Sequence, residues 1–269
     1  SSSGLGAIAI GTLAASTGDR SISLGYEANA SDKNTIAIGY QSNAVGINST
    51  AIGFKASSQG GNSTALGFNA RSSARNSTAI GLDATASGGD SVSVGKSSQA
   101  NEQGSTSLGH LARAQAERTI AIGAGSLSNQ KCAIAIGQFS RAIALNATAI
   151  GTNVSVSGEN GLAVGSEANA SGQNSTSVGT FSTANGNWSS AYGTSSIASG
   201  EAAIAFGAGS VSSGIGSIVL GTNASGNANN VVAIGTKSEA SATNAIAVGI
   251  EAKASKTNTT AVGTLAIAS

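Results

Sequence analysis

Large apolar residues recur at every second position in short bursts, and each burst ends on a glycine. With that glycine taken as position 0, position −1 is Ile, Val or Leu in seventeen of nineteen copies, with Tyr192 and Phe206 in the others. Position −3 is Ile, Val or Leu in eleven copies and Thr or Ser in eight. Between them, position −2 is Ala fourteen times, Ser four times and Val219 once. Beyond the glycine, positions +3 and +5 are nearly always Ala or Ser, with Val154 and Val156 as exceptions. Position +4 is unconstrained, taking Asn29, Arg71, Gln99, Leu127, Glu239 or Lys253. Alternation with period two over about five residues predicts a β-strand, so each copy predicts two.

The ruling glycines, from Gly11, Gly25 and Gly39 to Gly249 and Gly263, stand at strict fourteen-residue intervals and are half of the chain's 38 glycines. A fixed period of this length predicts a solenoid with one turn per period, a quasi-one-dimensional object without a single core. Corners are marked by Gly at 0, often Gly at +7 (Gly18, Gly46, Gly60) and often Asn at +9 (Asn34, Asn48, Asn62). Both residue types tolerate positive φ. The expectation is an all-β parallel solenoid of fourteen residues per turn, about nineteen turns, forming one repeat domain over residues 1–269.

Folding one turn flat, with corners centred at +1 and +8, sets −1 against +3 and −3 against +5. Large residues then meet small ones across a thin interior. Thr50, Thr64 and Thr78, at −3, fall inside and need hydrogen-bond partners. Positions −2 and +4 fall on opposite outer faces. An outer column held to Ala and Ser reads as one closely covered, and the simplest cover is another copy of the chain. This places Ala37, Ala51, Ala65, Ala79, Ala121, Ala135 and Ala149 at the interface of a side-by-side homo-oligomer.

Composition changes this picture little. Aromatic content of 3% and charged content of 9% are low, but a disordered chain would not keep apolar residues in register for nineteen copies. The net charge of +1 gives no reason to expect nucleic acid or a membrane surface as partner. No run of about eighteen apolar residues is present. The segment SSSGLGAIAI lacks the basic-then-apolar form of a leader, so the chain reads as a mature protein or a piece of a longer one. A single cysteine, Cys132, excludes a disulfide within the chain.

NSTAIG at 48–53 and 76–81, NTIAIGYQS at 34–42, DSVSVGKSS at 90–98 and SEANASG at 166–172 resemble the head repeats of YadA-like trimeric autotransporter adhesins. The resemblance runs from about residue 5 to 268. It implies a left-handed parallel β-roll, three chains around one axis, on the outer-membrane surface of a Gram-negative bacterium. It also implies binding to host matrix proteins such as collagen, or autoaggregation, with a stalk and a membrane anchor lying outside this chain. The collagen-linked motif of such relatives reads NSVAIGxxS. Residues 34–42 carry TI, and 230–238 carry VV, where that motif has SV, so no binding residue is carried over.

Few residues suggest chemistry. His110, the lone histidine, sits at corner position +1 with no His or Cys cluster in the sequence around it, which argues against zinc and against a Ser–His–Asp arrangement. Gly-rich stretches are strand corners and open no helix, unlike a phosphate loop. Triplets such as Asn48-Ser49-Thr50 follow from the repeat, and with four Asp the calcium-roll pattern is absent. No catalytic residue, cofactor or metal is expected. Two features suggest contact. Position +1 reads Tyr26, Tyr40, Phe54, Phe68 and Leu82 in consecutive turns, a ladder for a neighbouring chain or a partner. Residues 55–141 hold eight Lys or Arg, including Arg71, Arg75 and Arg113, against four acids, while 142–236 hold no basic residue. Such a belt favours acidic surfaces or is simply solvated. These aromatics and arginines are the ligand-binding candidates, with a matrix protein or an abiotic surface as partner. The expected function is adhesion. An ice-binding β-solenoid is the alternative, and a hexapeptide-repeat acyltransferase fits neither the period nor the histidine count.

Overall fold

The structure is a computed structural model and describes residues 1–269. It is all-β, with 19 three-residue strands alternating with 19 two-residue strands. The residues group into two compact units, Ser1–Cys132 and Ala133–Ser269. In the first, three-residue strands run from Ile8–Ile10 to Ile120–Ile122 and two-residue strands from Ala15–Ser16 to Leu127–Ser128. In the second they run from Ile134–Ile136 to Thr260–Val262 and from Arg141–Ala142 to Ile267–Ala268. Within each unit every strand pairs in parallel with its equivalent one turn away, always fourteen residues apart: Thr50 with Thr64, Arg71 with Thr85, Ile218 with Val232. The fourteen-residue parallel solenoid read from the sequence is therefore the fold.

Each corner is a tight turn, closed by Ala14 N–H to the Gly11 carbonyl at 3.2 Å or Ser49 N–H to Gly46 at 3.0 Å. Corners also bond to the turn below, as Gln41 N–H does to the Tyr26 carbonyl and Asn34 N–H to Asp19. That ladder forces left-handed residues at +9, such as Asn48 at φ 58°, and also at +2, where Phe139 and Phe181 pay the strain. The ruling glycine is required twice over. Gly39 has φ 127°, and a Cβ there would run into the Gly53 carbonyl of the next turn.

In the three-residue strands the side-chain parity is the reverse of the expectation, whereas in the two-residue strands +3 and +5 face inward and +4 outward as expected. Each corner holds two residues, +1 and +2, between closing residues 0 and +3, so its centre lies half a residue beyond +1. That half-step sets −2 against +5 and turns −1 and −3 outward while leaving +4 outward, because a one-residue slip of one strand flips all of its side chains. Ala37, Ala51, Ala65, Ala79, Ala121, Ala135 and Ala149 are 0% accessible within the single chain. They line the coil interior, so they are not the surface offered to a sister chain. Thr50, Thr64 and Thr78 face outward and are half-exposed.

The interior is thin enough that only small residues fit. Ser16 and Ser21 reach across it with their hydroxyls 2.6 Å apart, as do Ser58 and Ser63. Many inward serines also donate to a corner carbonyl, Ser63 to Gly60 at 2.6 Å and Ser210 to Gly207 at 2.8 Å, so burial leaves these hydroxyls paired. The sequence exceptions compensate one another. Buried Val156 abuts Gly161, and Gly226 lies between buried Val219 and Val231, where a Cβ would meet their Cγ2 atoms at 2.7 and 2.8 Å. In each case the glycine leaves free the space that a neighbouring valine takes, as close packing requires.

Candidate functional site

Since Ala and Ser fill the coil, the Ile, Val and Leu of positions −1 and −3 have nowhere to go but out. They form two adjacent columns on the sheet of three-residue strands, half-covered by their neighbours above and below. Leu66 is 42% accessible, Ile234 36% and Phe206 57%. At a strand spacing of about 4.8 Å, nine turns of the first unit give a strip of roughly 400 Å², aliphatic throughout at −1 and interspersed with Thr50, Thr64, Thr78 and Thr106 at −3, of the size of the larger apolar patches on a typical monomer. The −1 column, apolar in every turn and aliphatic but for Tyr192 and Phe206, is the sequence signal of this face.

The aromatic column is a true stack. Tyr26 and Tyr40 lie 5.2 Å apart, Tyr40 and Phe54 5.0 Å, Phe54 and Phe68 4.7 Å, with interplanar angles of 11°, 7° and 7°. Each pair contributes about 0.5–1.5 kcal/mol beyond area burial. Tyr40 and Phe54 have a ring against each face, Tyr26 and Phe68 end the stack, and all four side chains remain exposed. Glu27 accepts from the Tyr26 hydroxyl and pushes its pKa up. Lys55 Nζ lies 5.3 Å from the Phe54 ring centre.

The arginine candidates separate. Arg71 and Arg113 project from the outer +4 column of the two-residue strands, whereas Arg75 sits at the far corner, position +8, where Glu117 accepts from Lys131 at 2.9 Å and lies 3.5 Å from Arg118. Lys131 holds the Glu117 carboxyl below its usual range. Arg71 Nη2 donates to Asn69 Oδ1 at 3.3 Å, and Asn69 donates to Asp83 at 2.7 Å. Lys55 and Arg71, with Ser57, Gln59, Asn69, Ser73 and Thr85, line a shallow groove of about 500 Å³. His110 is exposed at a corner, Cys132 is a half-buried free thiol, and no three His, Cys, Asp or Glu converge.

A parallel solenoid with a packed Ala/Ser interior, an aliphatic outer face and glycine-ruled corners defines a class of repetitive surface-presenting scaffolds. The YadA head domain repeat model matches residues 2–28, 16–42 and onward through 100–126, 133–153 and 157–182 to 240–266, and the chain belongs to this family. Among solved structures, the crystal structure of the collagen-binding domain of Yersinia adhesin YadA is 26% identical. The match covers 55% of this chain and 82% of that one, with a TM-score of 0.40. No curated protein matches.

Proposed function

We propose that this chain is the non-catalytic adhesive head of a bacterial surface protein of the trimeric autotransporter type. It projects from the outer membrane of a Gram-negative cell through an anchor outside this chain. The observation that carries the reading is the aliphatic face of a YadA head repeat, left facing water in the lone chain. Three copies packing these columns together remove that face from water and leave the +4 column outward on every side, where repetition supplies avidity. Partners are then sister chains, and a matrix protein, another cell or an abiotic surface. The test is a binding screen of the purified head against collagen and other matrix proteins, polystyrene and head-displaying cells. Retention on at least one supports the reading; failure on all of them refutes it.

A second reading draws on the outward Thr50, Thr64 and Thr78, a Thr column beside Ile52, Leu66 and Ile80 such as an ice-binding face uses. Val92 interrupts it after three turns, which ranks it below adhesion. Thermal hysteresis by the purified head would reverse that order.

A further inference from the structure

The groove beside Arg71 belongs to a longer one-sided surface. Across the turns ruled by Gly53, Gly67, Gly81, Gly95 and Gly109, the near corner and the +4 column carry Lys55, Arg71, Lys96 and Arg113, all exposed, against one acid, Asp83. The far corner of those turns carries Arg75 and Arg118 against Asp90, Glu102 and Glu117. The excess positive charge thus lies on one side, in a line of about 19 Å at the strand spacing. Between the cations lie uncharged hydrogen-bonding groups: Ser57, Gln59, Ser73 and Thr85 around the groove, then Gln99. Lys55 is pre-positioned by the Phe54 ring and Arg71 by Asn69.

We propose that this surface binds a sulfated linear polysaccharide laid along the turns, with sulfates on the four cations and sugar hydroxyls on the amides and hydroxyls between them. Arg and Lys are the side chains that pair with such oxyanions, and the spacing between them matches a ligand whose charges are intermittent. Duplex DNA carries one charge per about 1.7 Å of axis and calls for a denser cationic track. Stacking of successive unpaired bases is unsupported too, because the aromatic rings stack on one another and leave no space between them for a base. Arg71 and Arg113 lie on the sheet opposite the aliphatic columns and Lys55 and Lys96 on the corner between the two, so assembly of three chains on those columns repeats the +4 face rather than hides it. This inference rests on the adhesive reading and names its ligand class.

The experiment is surface plasmon resonance of the purified full chain over immobilised heparin, fully desulfated heparin, duplex DNA and collagen. Heparin binding is expected, falling as salt rises and absent from the desulfated chain. The variant Lys55→Gln/Arg71→Gln/Lys96→Gln/Arg113→Gln should lose about tenfold or more in affinity and show a shallower salt dependence. The far-corner variant Arg75→Gln/Arg118→Gln should bind as the parent does, and circular dichroism should show both folded. No heparin binding, binding unchanged in the fourfold variant, or equal binding to duplex DNA each overturns the proposal. Adhesion to other matrices or to sibling cells with heparin ignored sinks this ligand class alone; loss of every form of adhesion sinks the adhesive reading as well.

Discussion

Gly226→Ala is the sharpest probe of an interior filled by volume rather than by residue type. Gly226 occupies inward position +5, and its φ lies outside the left-handed region, so the substitution is judged by space alone. The new methyl would sit 2.7 Å from Val219 Cγ2 and 2.8 Å from Val231 Cγ2, well inside the 3.5–4.0 Å of favourable carbon contact. Overpacking of this kind costs about 1–3 kcal/mol. Val219→Ala/Val231→Ala removes four methyl equivalents and leaves a void beside Gly226, a loss of roughly 3–4 kcal/mol from transfer and cavity together. Adding Gly226→Ala to that pair rebuilds the Ala and Ser filling of neighbouring turns, so the triple variant should recover about 2 kcal/mol and lie about 1–2 kcal/mol below the parent. The same methyl therefore destabilises one background by about 2 kcal/mol and stabilises the other by a similar amount. Guanidinium titrations followed by far-ultraviolet circular dichroism, analysed as a mutant cycle, measure this. If Gly226→Ala destabilises both backgrounds equally, with coupling under about 0.5 kcal/mol, the compensation is not real.

Gly39→Ala meets both a φ of 127° and the Gly53 carbonyl, and should cost more than about 3 kcal/mol in a thermal melt, whereas Gly61→Ala, with its nearest neighbour at 3.8 Å, should stay within about 1 kcal/mol of the parent. Asn62 donates to Asn76 at 3.1 Å and accepts from Asn48 at 3.0 Å in a left-handed corner. Asn62→Leu should lose about 2 kcal/mol and Asn62→Gly distinctly less, read from denaturation midpoints. Glu27→Gln should lower the Tyr26 midpoint in an absorbance titration. Because the folded-state value is raised, whatever this contact adds to stability is present below the unfolded value and fades as pH rises through the folded one.

The period, the strand pairs and the corner residues were legible because glycine and asparagine report backbone demands directly. Gly39 needs its φ and its lack of Cβ in any register, and Asn34, Asn48 and Asn62 need theirs. Parity was not legible by the same route. It turns on whether a corner is centred on one residue or between two, and Ala51 beside Ile52 alternates equally well either way. Volume was the missed clue: an interior holding both Ile36 and Ile38 in one turn is too thick for hydroxyls such as those of Ser58 and Ser63 to meet across it. The aromatic ladder was visible as a column, but the ring geometry, which closes both faces of Tyr40 and Phe54 to a partner, was not. The cationic side was blurred in the sequence, because residues 55–141 mix two corners that the fold sets apart.

Sedimentation equilibrium of the purified head tests most directly whether the outward aliphatic columns are the assembly face. Three chains per particle are expected for the parent and for Ser57→Lys/Thr85→Lys on the +4 face. Ile52→Lys/Ile80→Lys should sediment as single chains with its β-sheet circular dichroism intact. A parent that sediments as a folded single chain, or an Ile52→Lys/Ile80→Lys variant that still sediments as three, would contradict the account.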